Sequence, residues 1–434
     1  MKPPLQLTGI AWDHSRALPP LVATAQRYEE THPGVRIQWQ KRTLDEFGHA
    51  PIDILAETFD LIVIDHPWAG FCFEHNLVHD IQSLASSAAL AELEKNSIGE
   101  SFPSYLWQDK LLAVPIDAAA PAPSWRPDLL DRAGVEVPRT WSEAVALAKR
   151  KLAVIPAFNA DLFLHLLMFI KALGAEPCSS SKELAPREIL RQAVEQLREL
   201  TSPMPREIFV LNPIQLAERM TTTDDFAWNG FAYPYNNYAR SGFAPKPLRF
   251  GNLISFEAGA APLRSVLGGT GIAISRHCKD PLEALDYALF TASANTQRTI
   301  YVHAGGQPSH RAAWNDPLAD HLCGGFFSAT RKTQEEAFVR PRYSGIADAS
   351  IEPLTRCATH LHARCARRGR LQCSLKDNTI NFPRMLAALR ANQFSGNIAL
   401  EYVWVDWEHC NEVDVLSETT RLKQLLEEAS SKLK

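Results

Sequence analysis

The sequence predicts an α/β protein built around a mostly parallel sheet. Three observations point there. Strand-like and helix-like segments alternate from the first residues onward, the pattern of a parallel sheet with crossover helices. In the run FDLIVIDHPW (59–68) the stretch from Leu61 is continuously apolar until Asp65, as a strand buried on both faces should be. The chain has 434 residues, 46% hydrophobic and 22% charged, enough for two or three domains with sizeable cores.

Each element follows from its local pattern. LQLTGIAW (5–12) reads as a strand that runs into the polar loop DHSRALPP. LVATAQRYEETHPG (21–34) has helical spacing and stops at His32-Pro33-Gly34. VRIQWQKR (35–42) alternates apolar and polar residues, a second strand. Ligands in such sheets sit beyond the carboxyl ends of the strands. That places Trp12, Asp13, His14, Asp65, His66 and Trp68 on one rim.

Further on, KLLAVPID brings a strand to Asp117, and a Pro/Ala stretch leads away from it as a crossing between lobes. TWSEAVALAKR (140–150) is a helix with a capping box, Thr140 as N-cap and Glu143 three residues later. Residues 161–174 and 183–200 read as longer amphipathic helices. DDFAWNGFAYPYNNYARSG (224–242) is rich in aromatic residues, Asn and Gly, and reads as a binding loop or strand. LGGTGIAIS (267–275) is a Gly-rich turn entering a strand, 280–293 a helix, and 301–314 a loop. LGGTG lacks the lysine and spacing of a phosphate cradle. His165, in DLFLHLLMFI, and Trp141, on a helix face, read as core residues.

Bulk properties narrow the function. A net charge of −4 gives no pull toward nucleic acid or anionic lipid. No run reaches the ~18 apolar residues of a membrane span. Two prolines, Gln6 and Asp13 interrupt any signal-like start, so as written the chain is expected in the cytoplasm, or in the periplasm if a leader was removed. Eight cysteines without a CxxC pair argue against a thiolate zinc site, and their spacing suggests no disulfides.

The ordered set VRIQWQ, FDLIVID, LLAVPID, TWSEAVALA, LGGTGIAIS and AGGQPSHRAAW resembles the extracellular solute-binding proteins of carbohydrate ABC transporters, over residues 1 to about 350. The resemblance implies a two-lobe periplasmic-binding-protein-like fold, with a first lobe at 1–118 and a second at 119–350 that includes the crossings, the lobes interleaving. It implies a sugar or polyol held between the lobes, an ABC permease as partner, and no cofactor. By position the ligand set is Trp12, Asp13, His14, Asp65, His66, Asp117, Trp228, Tyr233, Tyr235, Asn236, Gly268, Gly269 and Thr270.

The tail differs in character. Four of the eight cysteines fall after residue 350, and CATHLHARC (357–365) places two histidines on one strand face. HLHARCARRGR…LKDNTINFPRMLAALRANQFSGNIALEYVW resembles the last two strand–helix units of xylose-isomerase-like TIM barrels, sugar and sugar-phosphate isomerases and epimerases. The fold expected for 355–434 is thus a partial TIM barrel. That resemblance implies His362 and Glu401 as ligands of a divalent metal such as Mn²⁺ or Mg²⁺, and Arg368 as a substrate contact. Two ligands are fewer than the three or four a metal normally takes, and about 80 residues cannot supply eight strands. The expected function is therefore solute binding, with a metal-dependent isomerase or epimerase as the alternative. A third reading is a cytoplasmic descendant of a binding protein that senses a metabolite or catalyses a reaction. The final helix, 416–434, is expected to pack on a lobe.

Overall fold

The structure, a computed structural model, describes residues 3–49, 52–179, 184–342, 360–367, 372–391, 393–403 and 413–432. In chain order its strands are β1 (Leu5–Trp12), β2 (Val35–Arg42), β3 (Leu61–Ile64), β4 (Leu106–Trp107), β5 (Lys110–Leu111), β6 (Val114–Ala119), β7 (Ala122–Trp125), β8 (Ala153–Val154), β9 (Trp228–Ala232), β10 (Arg249–Phe250), β11 (Gly268–Ile274), β12 (His360–Ala363) and β13 (Asn397–Leu400).

Two sheets define two lobes. The first has the order β2-β1-β3-β11-β6 and the second β10-β7-β9-β8. In the first, β2 and β3 run parallel to β1 while β11 runs antiparallel to β3 and β6. The strand β11 and the helix Pro281–Ala292 therefore return to the first lobe from the middle of the sequence. The first core holds Leu7, Ile62 and Val63 together with Ile272, Ile274 and Tyr287. The second holds Val154, Phe169, Trp228 and Phe231 with Trp314 and Phe326.

Three stretches cross between the lobes side by side. Ala120, Leu267, Ala337 and Val339 form a small apolar cluster there. Leu267 N–H donates to Phe338 O at 2.7 Å, and Phe338 N–H to Ser265 O at 2.9 Å. A second inter-lobe contact lies at the loop after β1. Arg16 donates to Pro234 O at 3.0 Å, and Ser15 Oγ meets the Asn237 amide at 2.8 Å.

Local chemistry explains the elements. Thr140 and Glu143 close the expected capping box at the helix Trp141–Lys149. Trp141 is buried and His165 is fully enclosed, its Nε2–H donating to Phe231 O at 2.6 Å. Residues 301–314 are not a plain loop. Helical structure runs through Tyr301, a turn follows, and a short helix spans Arg311–Trp314. Gln297 accepts from Ser309 N–H at 2.9 Å, so the turn is pinned from the preceding helix.

The tail forms β12, the helix Phe382–Ala391, β13 and the helix Val415–Lys432. β12 and β13 pair in parallel, with His362 opposite Ala399. The last helix does not replace lobe helices. Its Leu422 and Leu426 join Ala363, Cys365, Cys373, Phe382 and Tyr402 in a core of the tail's own. Burial of these residues against their own strands is the nearest outlet for the helix's apolar stripe. Among the described residues Cys72, Cys178, Cys278, Cys323, Cys365 and Cys373 are free thiols, and no helix is long and apolar enough to cross a membrane.

Candidate functional site

A cleft of about 470 Å³ lies where the two sheets meet. It sits beyond the carboxyl ends of β1, β3 and β6 and the start of the antiparallel β11, where ligands of open α/β sheets bind. The first lobe contributes Trp12, Arg16, Leu44, Phe47, Asp65, Pro67 and Trp68. The second contributes Phe158, Asp161, Leu164, Val210, Asn212, Gln215, Tyr233 and Tyr235. Ala119, Gly268, Gly269, Thr270 and Arg340 line the crossing side.

The glycines are there for a close approach. A methyl at Gly268 would stand 2.3 Å from Tyr233 Cε1. Gly269 has φ +107°, and a methyl on it would meet Asp117 O at 2.3 Å. The aromatic ring of Tyr233 thus lies directly on β11, and its hydroxyl reaches Leu267 O at 3.3 Å.

Charges in the cleft come in pairs. Arg340 Nη2 lies 2.5 Å from each oxygen of Asp65, and its Nε donates to Leu267 O at 2.8 Å. Burial alone would raise the Asp65 carboxyl. The Arg340 charge and the donors on His66 and Arg340 outweigh it and hold the group well below the usual carboxylate range. Arg16 is buried against Asp117, its Nε donating to Oδ2 at 2.9 Å and Nη2 to Oδ1. Burial disfavours the guanidinium charge, but Asp117 more than offsets this and Arg16 stays cationic. The Arg16 guanidinium also stacks 4.8 Å from the Tyr235 ring centre.

Asp161 has no such partner. It is 8% exposed, among the described residues its carboxyl bonds only its own backbone N–H, and burial pushes it up to about 7. Two further polar atoms in the cleft wall, Trp12 Nε1 and Thr270 Oγ1, are buried without a hydrogen-bond partner among the described residues. Buried polar atoms are almost always paired, so unpaired ones clustered in a cleft are candidates for ligand contacts.

The structure sorts the sequence-derived ligand set. Trp12, Asp65, Tyr233, Tyr235, Gly268, Gly269 and Thr270 line the cleft. Six others do not. Asp13 is exposed and ion-paired to Lys41 at 2.7 Å. His14 is tucked behind Tyr235, edge to face at 4.5 Å, and burial then Arg16 lower it to about 4. His66 is buried beneath Asp65 and accepts from Arg340 N–H at 3.2 Å. Asp117 serves Arg16. Trp228 is a core residue at 0% exposure, because β9 is an interior strand buried on both faces. Asn236 ties Gly306 O at 2.9 Å and is fully buried.

Sequence reasoning missed Arg16, Asp161 and Arg340. Arg16 lies two residues past His14 in the same polar loop, and that position was the available signal. Nothing local marks Arg340, which meets Asp65 from 275 residues away.

In the tail, His362 Nδ1 and Glu401 Oε2 approach to 3.2 Å, both about half-exposed. Among the described residues no three His, Cys, Asp or Glu side chains gather as a metal set. Arg368 lies outside the described residues.

Two α/β lobes joined by several crossings, with an aromatic cleft between them, define a two-lobe binding protein. The chain belongs to the bacterial extracellular solute-binding protein family, which it matches over residues 23–317. Its fold is similar to that of maltose-bound MalE3 of T. maritima, with TM-score 0.66 and 16% identity over 97% of this chain and 100% of that one. A ribitol-bound ABC transporter solute-binding protein of Agrobacterium radiobacter K84 is similar at TM-score 0.65 and 17% identity, covering 79% and 90%. A Thermotoga lettingae TMO counterpart with bound alpha-D-tagatose is similar at TM-score 0.66 and 16% identity, covering 81% and 93%. Among curated proteins no significant match is found.

Proposed function

We propose that this protein holds a sugar or polyol in the cleft between its lobes and presents it to an ABC-type permease. One observation carries the reading: the cleft has aromatic rings on both walls, Trp12, Phe47 and Trp68 against Phe158, Tyr233 and Tyr235, with unpaired polar atoms set among them. Apolar sugar faces pack on rings while hydroxyls need buried donors and acceptors, so the mixture suits a polyhydroxylated ligand. The fold relatives bound to maltose, ribitol and tagatose support the same class. The three crossing stretches supply a hinge about which the lobes would close.

We infer that residues 355–434 derive from the end of a xylose-isomerase-like barrel. The parallel pairing of β12 with β13 through the helix Phe382–Ala391 supports this, as does the meeting of His362 and Glu401 at one end of that pair.

A thermal-shift series with maltose, ribitol and D-tagatose tests the binding reading. At 100 times Kd a ligand stabilises by about 2.7 kcal/mol, a rise of several degrees in Tm. A flat response to every sugar and polyol at millimolar concentration would defeat it.

A further inference from the structure

Among the described residues every charged side chain lining the cleft is matched except one. Arg340 is consumed by Asp65 and Arg16 by Asp117, one to one. His14 and His66, each next to a member of these pairs, are both lowered to about 4 by burial and neighbouring arginines and are neutral at pH 7. Tyr235 is raised to about 12 by burial and carries no charge. On its own helix, Asp161 sits one turn before His165, which burial also lowers to about 4 and which is committed to Phe231 O. The remaining carboxylate, Asp161, faces the cleft among Phe158, Ala160 and Leu164.

From this imbalance we infer that Asp161 determines specificity, selecting a ligand that carries an ammonium group: an aminated sugar or polyol in preference to its neutral parent. The inference rests on the carbohydrate reading and narrows it. A carboxylate out of water with no cation is costly, and a ligand that supplies the cation removes that cost as it binds. A neutral hydroxyl donates one hydrogen bond but supplies no positive charge, so beside it the buried carboxyl, pushed up to about 7, keeps its proton, whereas an ammonium favours the ionised form. A charge-assisted bond in a desolvated site is about twice as strong as a neutral one. The position suits the task. Asp161 comes from the second lobe, facing the rings of the first across the cleft, so a ring stacked there can present a substituent to it.

The test compares glucosamine, galactosamine and mannosamine with glucose, galactose and mannose, and with the neutral N-acetylhexosamines, by calorimetric titration of the full chain at pH 6.5. The parent protein should bind at least one free amine roughly 10- to 100-fold more tightly than both its hexose and its N-acetyl form. In Asp161→Asn, which keeps the shape, that preference should collapse to within about twofold, with the Asn variant's melting curve confirming that it is folded. Should Asn fail to fold, Asp161→Glu, which keeps the charge, must retain the preference. Equal affinity for amine and hexose overturns this inference while leaving the carbohydrate reading standing. Binding of no sugar of any kind overturns both. A preference that survives in Asp161→Asn assigns the amine to another group and also overturns it.

Discussion

Arg340 holds both carboxylate oxygens of Asp65 at 2.5 Å on the crossing side of the cleft, although 275 residues separate them. Arg340 also donates to Leu267 O, so one guanidinium ties the first lobe's β3 rim to a crossing strand. Removing one partner of such a buried pair strands the other charge. Arg340→Ala should cost about 3 kcal/mol in chemical denaturation. The paired change Asp65→Asn with Arg340→Met should recover most of that loss. If the single variant is as stable as the parent, the pair is not a structural clamp.

Gly268 sets the position of Tyr233. With a methyl 2.3 Å from the ring, Gly268→Ala must push Tyr233 off β11. Solute affinity should fall by roughly tenfold, the worth of one displaced aromatic contact. Gly268→Ala with Tyr233→Ala should bind no worse than Tyr233→Ala alone. Independent, additive losses in a titration of the two would contradict the coupling.

Trp12 and Trp228 should behave oppositely. Trp228 is enclosed in the second core, so Trp228→Ala should cost about 3–5 kcal/mol of stability or abolish folding. Trp12→Phe keeps a ring in the cleft wall but removes an unpaired Nε1. It should weaken binding several-fold with Tm nearly unchanged. A Trp228→Ala protein of normal stability that fails to bind would return Trp228 to the site.

The pH profile has two opposed contributions. His14, His66 and His165 fall from 6.5 to about 4 on folding, so the unfolded chain binds protons first and stability is lost as pH drops from about 6.5 to 4. Asp161 rises from 3.8 to about 7, so it stabilises the fold as pH drops from about 7 to 4 and penalises it above 7. Each buried group contributes on the order of 3–4 kcal/mol. Asp161→Asn should therefore be more stable than the parent at pH 8 and lose more stability on acidification. Parallel Tm curves for the two proteins between pH 4.5 and 8 would refute this assignment.

Much of the scaffold was legible because it rests on short-range physics. β1 and β2 fall on Leu5–Trp12 and Val35–Arg42, as the apolar runs and alternation dictate, and the Thr140–Glu143 box opens its helix. The rim residues Trp12 and Asp65 were legible because strand ends face ligands in such sheets. Trp228 was misread because Asn229 and Gly230 give it a loop-like neighbourhood, whereas the strand is interior and buries every residue. Asp161 and Arg340 were invisible locally. One looks like an ordinary acidic residue in a helix's first turn, and the other acquires meaning only when a crossing strand brings it to Asp65.

The central claim, that polar atoms left unpaired in an aromatic cleft await a polyhydroxylated solute, is tested most directly at Thr270. Its Oγ1 is buried in the cleft wall without a partner, so Thr270→Val removes a hydroxyl and changes little volume. Calorimetric titration of the parent and Thr270→Val with the best-stabilising sugar or polyol is the measurement. The account predicts saturable one-to-one binding by the parent, a loss of roughly tenfold in the variant and a Tm equal to or above the parent's. Undiminished affinity in Thr270→Val, or a parent that binds no sugar or polyol, would contradict it.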